Sequence, residues 1–235
     1  MALKKIIKDA LMYRGLQATD RLREVILARY RRGWPYCPQD EGDLLFLLAK
    51  ALTGREALQV GFATGSTAAY ILSGLTSGRL VSIDYAQDEY EREGVALLHE
   101  LGLDANHELI EENSVIALPR LHESGRRLDL VFMDGWKTFD HIWVDTFFCA
   151  RMLNVGGHIV FDDARMPAVR KCISILIRYY EFQLVDTYKR VGGWRQRLWH
   201  LLTTRSFLPP YIALQKVRET SETEACRRFD YWKPF

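Results

Sequence analysis

Four carboxylates and two bases are spaced so that chemistry is the natural reading of them. Asp84 closes the apolar run Val81-Ser82-Ile83. Asp134 closes Leu130-Val131-Phe132-Met133, and the pair Asp162-Asp163 closes Ile159-Val160-Phe161. Short apolar runs of this kind read as buried parallel strands. Ligands of open α/β sheets bind outside the carboxyl ends of such strands, so all four acids should meet at one edge. Crowded carboxylates repel. A divalent cation relieves that, since hard oxygens suit Mg2+ or Ca2+; so does proton sharing, or a basic neighbour such as Lys137 or Arg165. Lys137 could act as a base if desolvation lowers its pKa, or it could only neutralise the acids. His141 is the second base candidate, with an ordinary helical residue as the alternative.

A glycine turn faces this acidic edge. Ala57-Leu58-Gln59-Val60 runs into Gly61-Phe62-Ala63-Thr64-Gly65-Ser66-Thr67. Glycines permit a tight turn and close approach to a ligand. A helix from Thr67 would present free N–H groups and a positive dipole end. Asp84 follows Gly61 by 23 residues, the spacing of an acid that accepts bonds from ribose hydroxyls; a helix N-cap is the other reading.

These residues need a scaffold, and the chain supplies its rhythm. Strands are expected at 57–61, 79–84, 107–112, 128–133 and 157–162. Helices are expected at 66–77, 87–101, 114–124 and 139–153, with another from Ala164 to about Tyr180. Two further strands are expected, from Phe182 to Tyr188 and from Tyr211 to Val217. The segment from Arg190 to Pro210 reads as a local insertion. This alternation predicts an α/β, doubly wound, mostly parallel sheet of seven strands, the last antiparallel. Residues 1–53 read as a helical cover, 54–218 as the main domain and 219–235 as a charged tail. Within the cover, Thr19-Asp20 would cap a helix through Arg31 whose apolar side is Leu22, Val25, Ile26 and Leu27. Its arginines would form a solvated face. A later helix, from Gln39 to Leu52, would be ended by Gly54.

Composition narrows the function classes. The 235 residues, 48% hydrophobic, suit one sizeable domain. A net charge of +2 gives no argument for nucleic acid. Four scattered cysteines without CxxC spacing read as reduced thiols, and the N-terminus is too polar for a secretion signal. The expectation is a cytoplasmic protein with no membrane span; a homodimer is left open. Residues 165–205 hold nine Lys and Arg against Glu181 and Asp186. They would attract a phosphate or carboxylate on a substrate, or else form a solvated face.

Taken in order, the blocks resemble those of class I S-adenosylmethionine-dependent methyltransferases, of the catechol and caffeoyl-CoA O-methyltransferase branch and its sugar and natural-product relatives. The blocks are Gln39-Asp40-Glu41-Gly42-x-Leu44-Leu45, Val60-Gly61-x-x-Thr64-Gly65-Ser66-Thr67 and Ser82-Ile83-Asp84. They continue through Asn113-Ser114, Leu118-Pro119 and Phe132-Met133-Asp134-Gly135 to Gly156-Gly157-x-Ile159-Val160-x-Asp162-Asp163. The resemblance implies a Rossmann-like methyltransferase fold. It implies that Gly61, Ala63, Thr64, Gly65 and Ser66 cradle the methionine part of the cofactor. Asp84, with Tyr85, would hold the ribose, and Asn113 and Ser114 would flank the adenine. Asp134 would sit near the sulfonium. Asp134, Asp162 and Asp163 would hold a divalent ion, Mg2+, where the enzyme uses one. The acceptor would be an oxygen of a small molecule or sugar. Two positions depart from the pattern. Gln59 stands where many relatives are acidic, and Trp136-Lys137 stands where many carry Asp-His or Asp-Lys. A non-catalytic binding protein is therefore an alternative. An NAD-dependent oxidoreductase is a weaker one, because the turn lacks the GxGxxG spacing.

Overall fold

A computed structural model describes residues 17–52, 56–185 and 210–219. The expected helical start before residue 17, most of the 190–210 insertion and the tail beyond Glu219 lie outside the described residues. So does Cys226, whereas Cys37, Cys149 and Cys172 are buried free thiols.

The chain opens with α1 (Gln17–Arg29) and α2 (Gln39–Ala51). Leu22 and Ile26, four apart, form the buried stripe of α1, but Leu27 is 43% exposed. The expected Thr19-Asp20 cap is not there, since both residues lie inside the helix. Thr19 is buried and donates its hydroxyl to the Asp43 carboxylate on α2. The arginines are not simply solvated either. Arg29 pairs with Glu93 and Glu100, and Arg31 pairs with Glu91 at 2.7 Å. Helix α2 is buried at every position from Glu41 to Ala49, including two acids. It presses on α3 (Ser66–Gly74) so closely that a Cβ on Gly42 would come within 2.5 Å of the Tyr70 ring.

The remaining elements are β1 (Glu56–Val60), β2 (Arg79–Ile83), α4 (Glu93–Glu100), β3 (His107–Ile110), α5 (Ser114–Glu123), β4 (Leu128–Met133), α6 (Phe139–Met152), β5 (Leu153–Phe161), α7 (Pro167–Tyr179), β6 (Phe182–Leu184) and β7 (Ile212–Lys216). The seven strands form one sheet in the order β3-β2-β1-β4-β5-β7-β6. β7 lies antiparallel between β5 and β6, as expected for the last strand. Alternate side chains feed two cores. Leu58, Val60, Val131, Met133, Ile159 and Phe161 pack with α5, α6 and α7 residues. Ala57, Leu80, Leu130, Phe132 and Val160 pack with α1 to α4. Each of these buried Val, Leu, Ile, Phe and Met side chains contributes about 1.5–3 kcal/mol relative to exposure. The sheet order reverses between β1 and β4, which places a crevice at their carboxyl ends.

The expected helix over 87–101 is broken in two. A 3-10 turn at Gln87–Tyr90 precedes α4, with Glu91 and Arg92 both at positive φ. The break brings Gly94 against Gly65, where a Cβ on Gly65 would lie 2.7 Å from the Gly94 Cα. Strand β5 begins four residues earlier than expected, at Leu153, and passes through Gly156 at φ 87° beside a register shift at Leu128–Leu130. Among the described residues no helix is long and apolar enough to cross a membrane.

Candidate active site

The strand-end acids are aimed by ladder bonds that run one residue past the strands. The Asp84 N–H donates to Ile110 O at 3.1 Å, Asp134 N–H to Val60 O at 2.9 Å, and Asp162 N–H to Met133 O at 3.1 Å. Each carboxylate therefore leaves the sheet from a fixed point. They surround a cavity of about 600 Å³.

One end of the cavity is the glycine turn. Gly61 has φ 90°, and a Cβ there would meet the Asp134 carbonyl oxygen at 2.3 Å. The glycine is thus required first by the neighbouring backbone, which the turn must touch. Gly65 likewise packs on Gly94 and is not on the cavity wall. Asp84 holds the turn directly. Its Oδ2 accepts from the N–H groups of Phe62 at 2.8 Å and Ala63 at 2.7 Å, and its Oδ1 from Ala86 at 2.7 Å. A carboxylate has about four lone-pair sites, so this leaves capacity for a ligand hydroxyl. The segment before α2 grips the other side. Thr64 donates its hydroxyl to Pro35 O at 2.7 Å, and Cys37 N–H donates to Ser66 Oγ at 2.9 Å. No side chain caps α3, and Ser66 and Thr67 of its first turn line the cavity. Such an N-terminus suits an anionic group.

Asn113 accepts from Val115 N–H at 3.1 Å as the N-cap of α5, and Ser114 follows it; both line the wall, as do Ala63 and Tyr85. Three aromatic rings, Tyr36, Tyr85 and Trp136, are exposed to different degrees and also form wall.

At the other end, Asp134, Asp162 and Asp163 each bring a carboxyl oxygen within 4.8 Å of the others. Lys137 lies behind them, off the wall, with Nζ 2.7 Å from Asp134 and 3.6 Å from Asp163. Burial by itself would lower the Lys137 pKa, but Asp134, with Asp162 and Asp163, outweighs it and the net shift is upward. The condition for Lys137 as a base, a lowered pKa, is not met. It is a counter-cation to the cluster. His141 lines the cavity, with Nδ1 3.0 Å from Thr138 Oγ1 and 3.4 Å from Asp140. Asp162 has the property of a base. Burial and then the Asp134 charge push its pKa up to about 7.

Sequence reasoning assigned no role to Glu41, although it stands in a quoted block. It is 4% exposed, lines the cavity, and its Oε1 has no hydrogen-bond partner among the described residues. The available signal was an acid at the head of a helix whose following run, Leu44 to Ala49, is wholly apolar. Gln59, singled out as a departure, is fully buried, lies off the cavity wall, and has neither amide atom bonded among the described residues. The basic residues of 165–178 are also absent from the wall. The described lining holds seven carboxylates and no Lys or Arg. One sign of charge in a cleft favours a cationic ligand.

Residues 58–164 match a family described as a methyltransferase domain. The chain is 27% identical over 166 residues to Tapetum-specific methyltransferase 1 of Arabidopsis thaliana, spanning 69% of this chain and 70% of that protein. It is 23% identical over 236 residues to the flavonoid 3',5'-methyltransferase of Vitis vinifera, spanning 97% and 94%. In fold it is similar to the O-methyltransferase TomG of Streptomyces achromogenes, solved in complex with S-adenosylmethionine. The TM-score is 0.62 at 18% identity, over 88% of this chain and 93% of that one. The matched methyltransferase domain lies on a seven-stranded sheet whose acidic crevice opens where the order reverses, and in sequence and fold the chain is similar to class I S-adenosylmethionine-dependent methyltransferases.

Proposed function

We propose that the enzyme methylates an oxygen of a small molecule or sugar, with Asp162 as the base and Lys137 and the neighbouring aspartates as its electrostatic frame. The observation that carries this is a carboxyl with a pKa raised to about 7 beside two others at the strand ends, opposite the glycine turn. The relatives named for O-methylation and for flavonoid methylation support oxygen as the acceptor atom.

The residues fit the cofactor. The cavity is large enough, its turn is already built, and its lining is acidic, as a sulfonium requires. When bound, S-adenosylmethionine supplies an electrophilic methyl group. The glycine turn and the α3 N-terminus would take its methionine part, Asp84 and Tyr85 the ribose, and Asn113 and Ser114 the adenine. Tyr36, Tyr85 and Trp136 offer flat faces for an aromatic or sugar ring. Asp162 accepts the acceptor hydroxyl proton at its free oxygen. The Lys137 ammonium offsets the charge then held by the cluster. Alignment of acceptor oxygen and methyl carbon by these walls supplies much of the rate.

Three converging hard oxygens also fit Mg2+, and Asp134, Asp162 and Asp163 are the residues that would hold it. The metal would lower the pKa of a bound hydroxyl. Methyl transfer from labelled cofactor across an acceptor panel, with and without chelator, tests both versions. Activity lost in chelator and restored by Mg2+ selects the metal version. Retained activity selects Asp162 alone. Wild-type protein that binds S-adenosylhomocysteine yet methylates no oxygen acceptor would leave a binding protein.

A further inference from the structure

We propose that the Glu41 carboxylate is the binding partner of the ammonium group on the cofactor's methionine part. This rests on the S-adenosylmethionine reading above. Glu41 comes from the first turn of α2, outside the domain matched at 58–164, yet it reaches the cavity. It is 4% exposed and Oε1 is unpartnered among the described residues. A buried carboxylate without a partner is costly, so a ligand that supplies donors and positive charge is the natural complement. Burial, with Asp162 and Asp134 next, raises its pKa to about 9, which fits a group waiting for a cation.

Position selects which cation. Glu41 is the strongest charge acting on the Cys37 thiol, after burial. The Cys37 N–H is bonded to Ser66 Oγ, in the first turn of α3. Cys37 and Ser66 line the cavity with Glu41, so Glu41 faces it between the first turn of α3 and the aspartates, and on the reading above the methionine part lies between those two. It is outside the group of three converging aspartates, so it is not their fourth metal ligand. Lys137 does not answer it, being bonded to Asp134. Gln59 cannot, because it lies off the wall.

The test compares two ligands that differ by the amino-acid part. S-adenosylhomocysteine and 5'-methylthioadenosine are titrated by calorimetry into wild type, Glu41→Gln and Glu41→Asp. The expected result is at least a tenfold loss for S-adenosylhomocysteine in Glu41→Gln, with 5'-methylthioadenosine affinity unchanged. If Glu41→Gln fails to fold, Glu41→Asp should show the same selective loss in smaller measure. Unchanged S-adenosylhomocysteine affinity, or equal losses for both ligands, overturns the proposal. Wild-type protein that binds neither ligand removes the cofactor reading itself, and this inference with it.

Discussion

The two ends of the cavity are built on opposite principles. At the glycine turn nearly every polar group is already paired: Asp84 holds three backbone N–H groups, Ser66 accepts from Cys37 and Thr64 donates to Pro35. At the acidic end, Asp134, Asp162 and Asp163 crowd together with one ammonium among them, that of Lys137. The first end is preformed and its geometry is fixed before any ligand arrives. The second holds Asp162, whose ionisation burial and the Asp134 charge resist. On the proposed reading, a cationic cofactor, or a metal, would complete it. Preorganised binding and poised reactivity are thus separated within about 600 Å³.

Breaking the preformed end should have the largest effect. Gly61→Ala places a Cβ 2.3 Å from the Asp134 carbonyl and strains a φ of 90°. We expect about 3 kcal/mol or more of lost stability and no measurable S-adenosylhomocysteine binding, by urea unfolding and calorimetry. Asp84→Ala comes next. It strips three backbone donors of their acceptor, and each such bond to a charged group is worth about 1.5–3 kcal/mol before water repairs some of the loss. Both stability and affinity should fall. A variant that lost ribose contacts only would keep its stability, which separates turn-holding from ribose-holding.

The buried acid Glu41 should answer in the opposite sense. A carboxyl kept protonated by the fold favours folding at low pH, and that advantage fades as pH rises. For Glu41 the window runs from its ordinary value of 4.5 to about 9. Unliganded wild type should therefore lose stability between pH 5 and pH 9, and Glu41→Gln should flatten that slope by about 1 kcal/mol or more, measured as unfolding free energy against pH. An unchanged slope would mean that the fold does not hold Glu41 protonated.

Much of this was legible in the sequence for one reason: β1, β2, β4 and β5 end in largely apolar runs, and each hands over to glycine or aspartate at its carboxyl end. That pattern placed Gly61, Asp84, Asp134, Asp162 and Asp163 correctly at one edge. What escaped depended on tertiary neighbours. Glu41 looks like any helix acid until α2 is seen to be buried at every position from Glu41 to Ala49. Thr19 looks like an N-cap until Asp43 is found opposite it. Lys137 could be given either role in sequence, since only the 2.7 Å contact with Asp134 decides that its charge is held. The break at Glu91–Arg92 exists because Gly94 must meet Gly65, a contact between residues 29 positions apart.

A smaller effect is expected where Lys137 frames the cluster. Lys137→Met removes a cation and adds no clash, so S-adenosylhomocysteine affinity should hold or rise slightly in calorimetry as the cavity becomes more acidic. A tenfold loss of affinity would assign Lys137 to binding instead.

The central claim is tested most directly by titrating S-adenosylhomocysteine into the purified protein by calorimetry, with NADH as the competitor. The account predicts a Kd in the low micromolar range or tighter, on the order of −8 kcal/mol, and no displacement by NADH. Absence of S-adenosylhomocysteine binding, with NADH bound in its place, would contradict it.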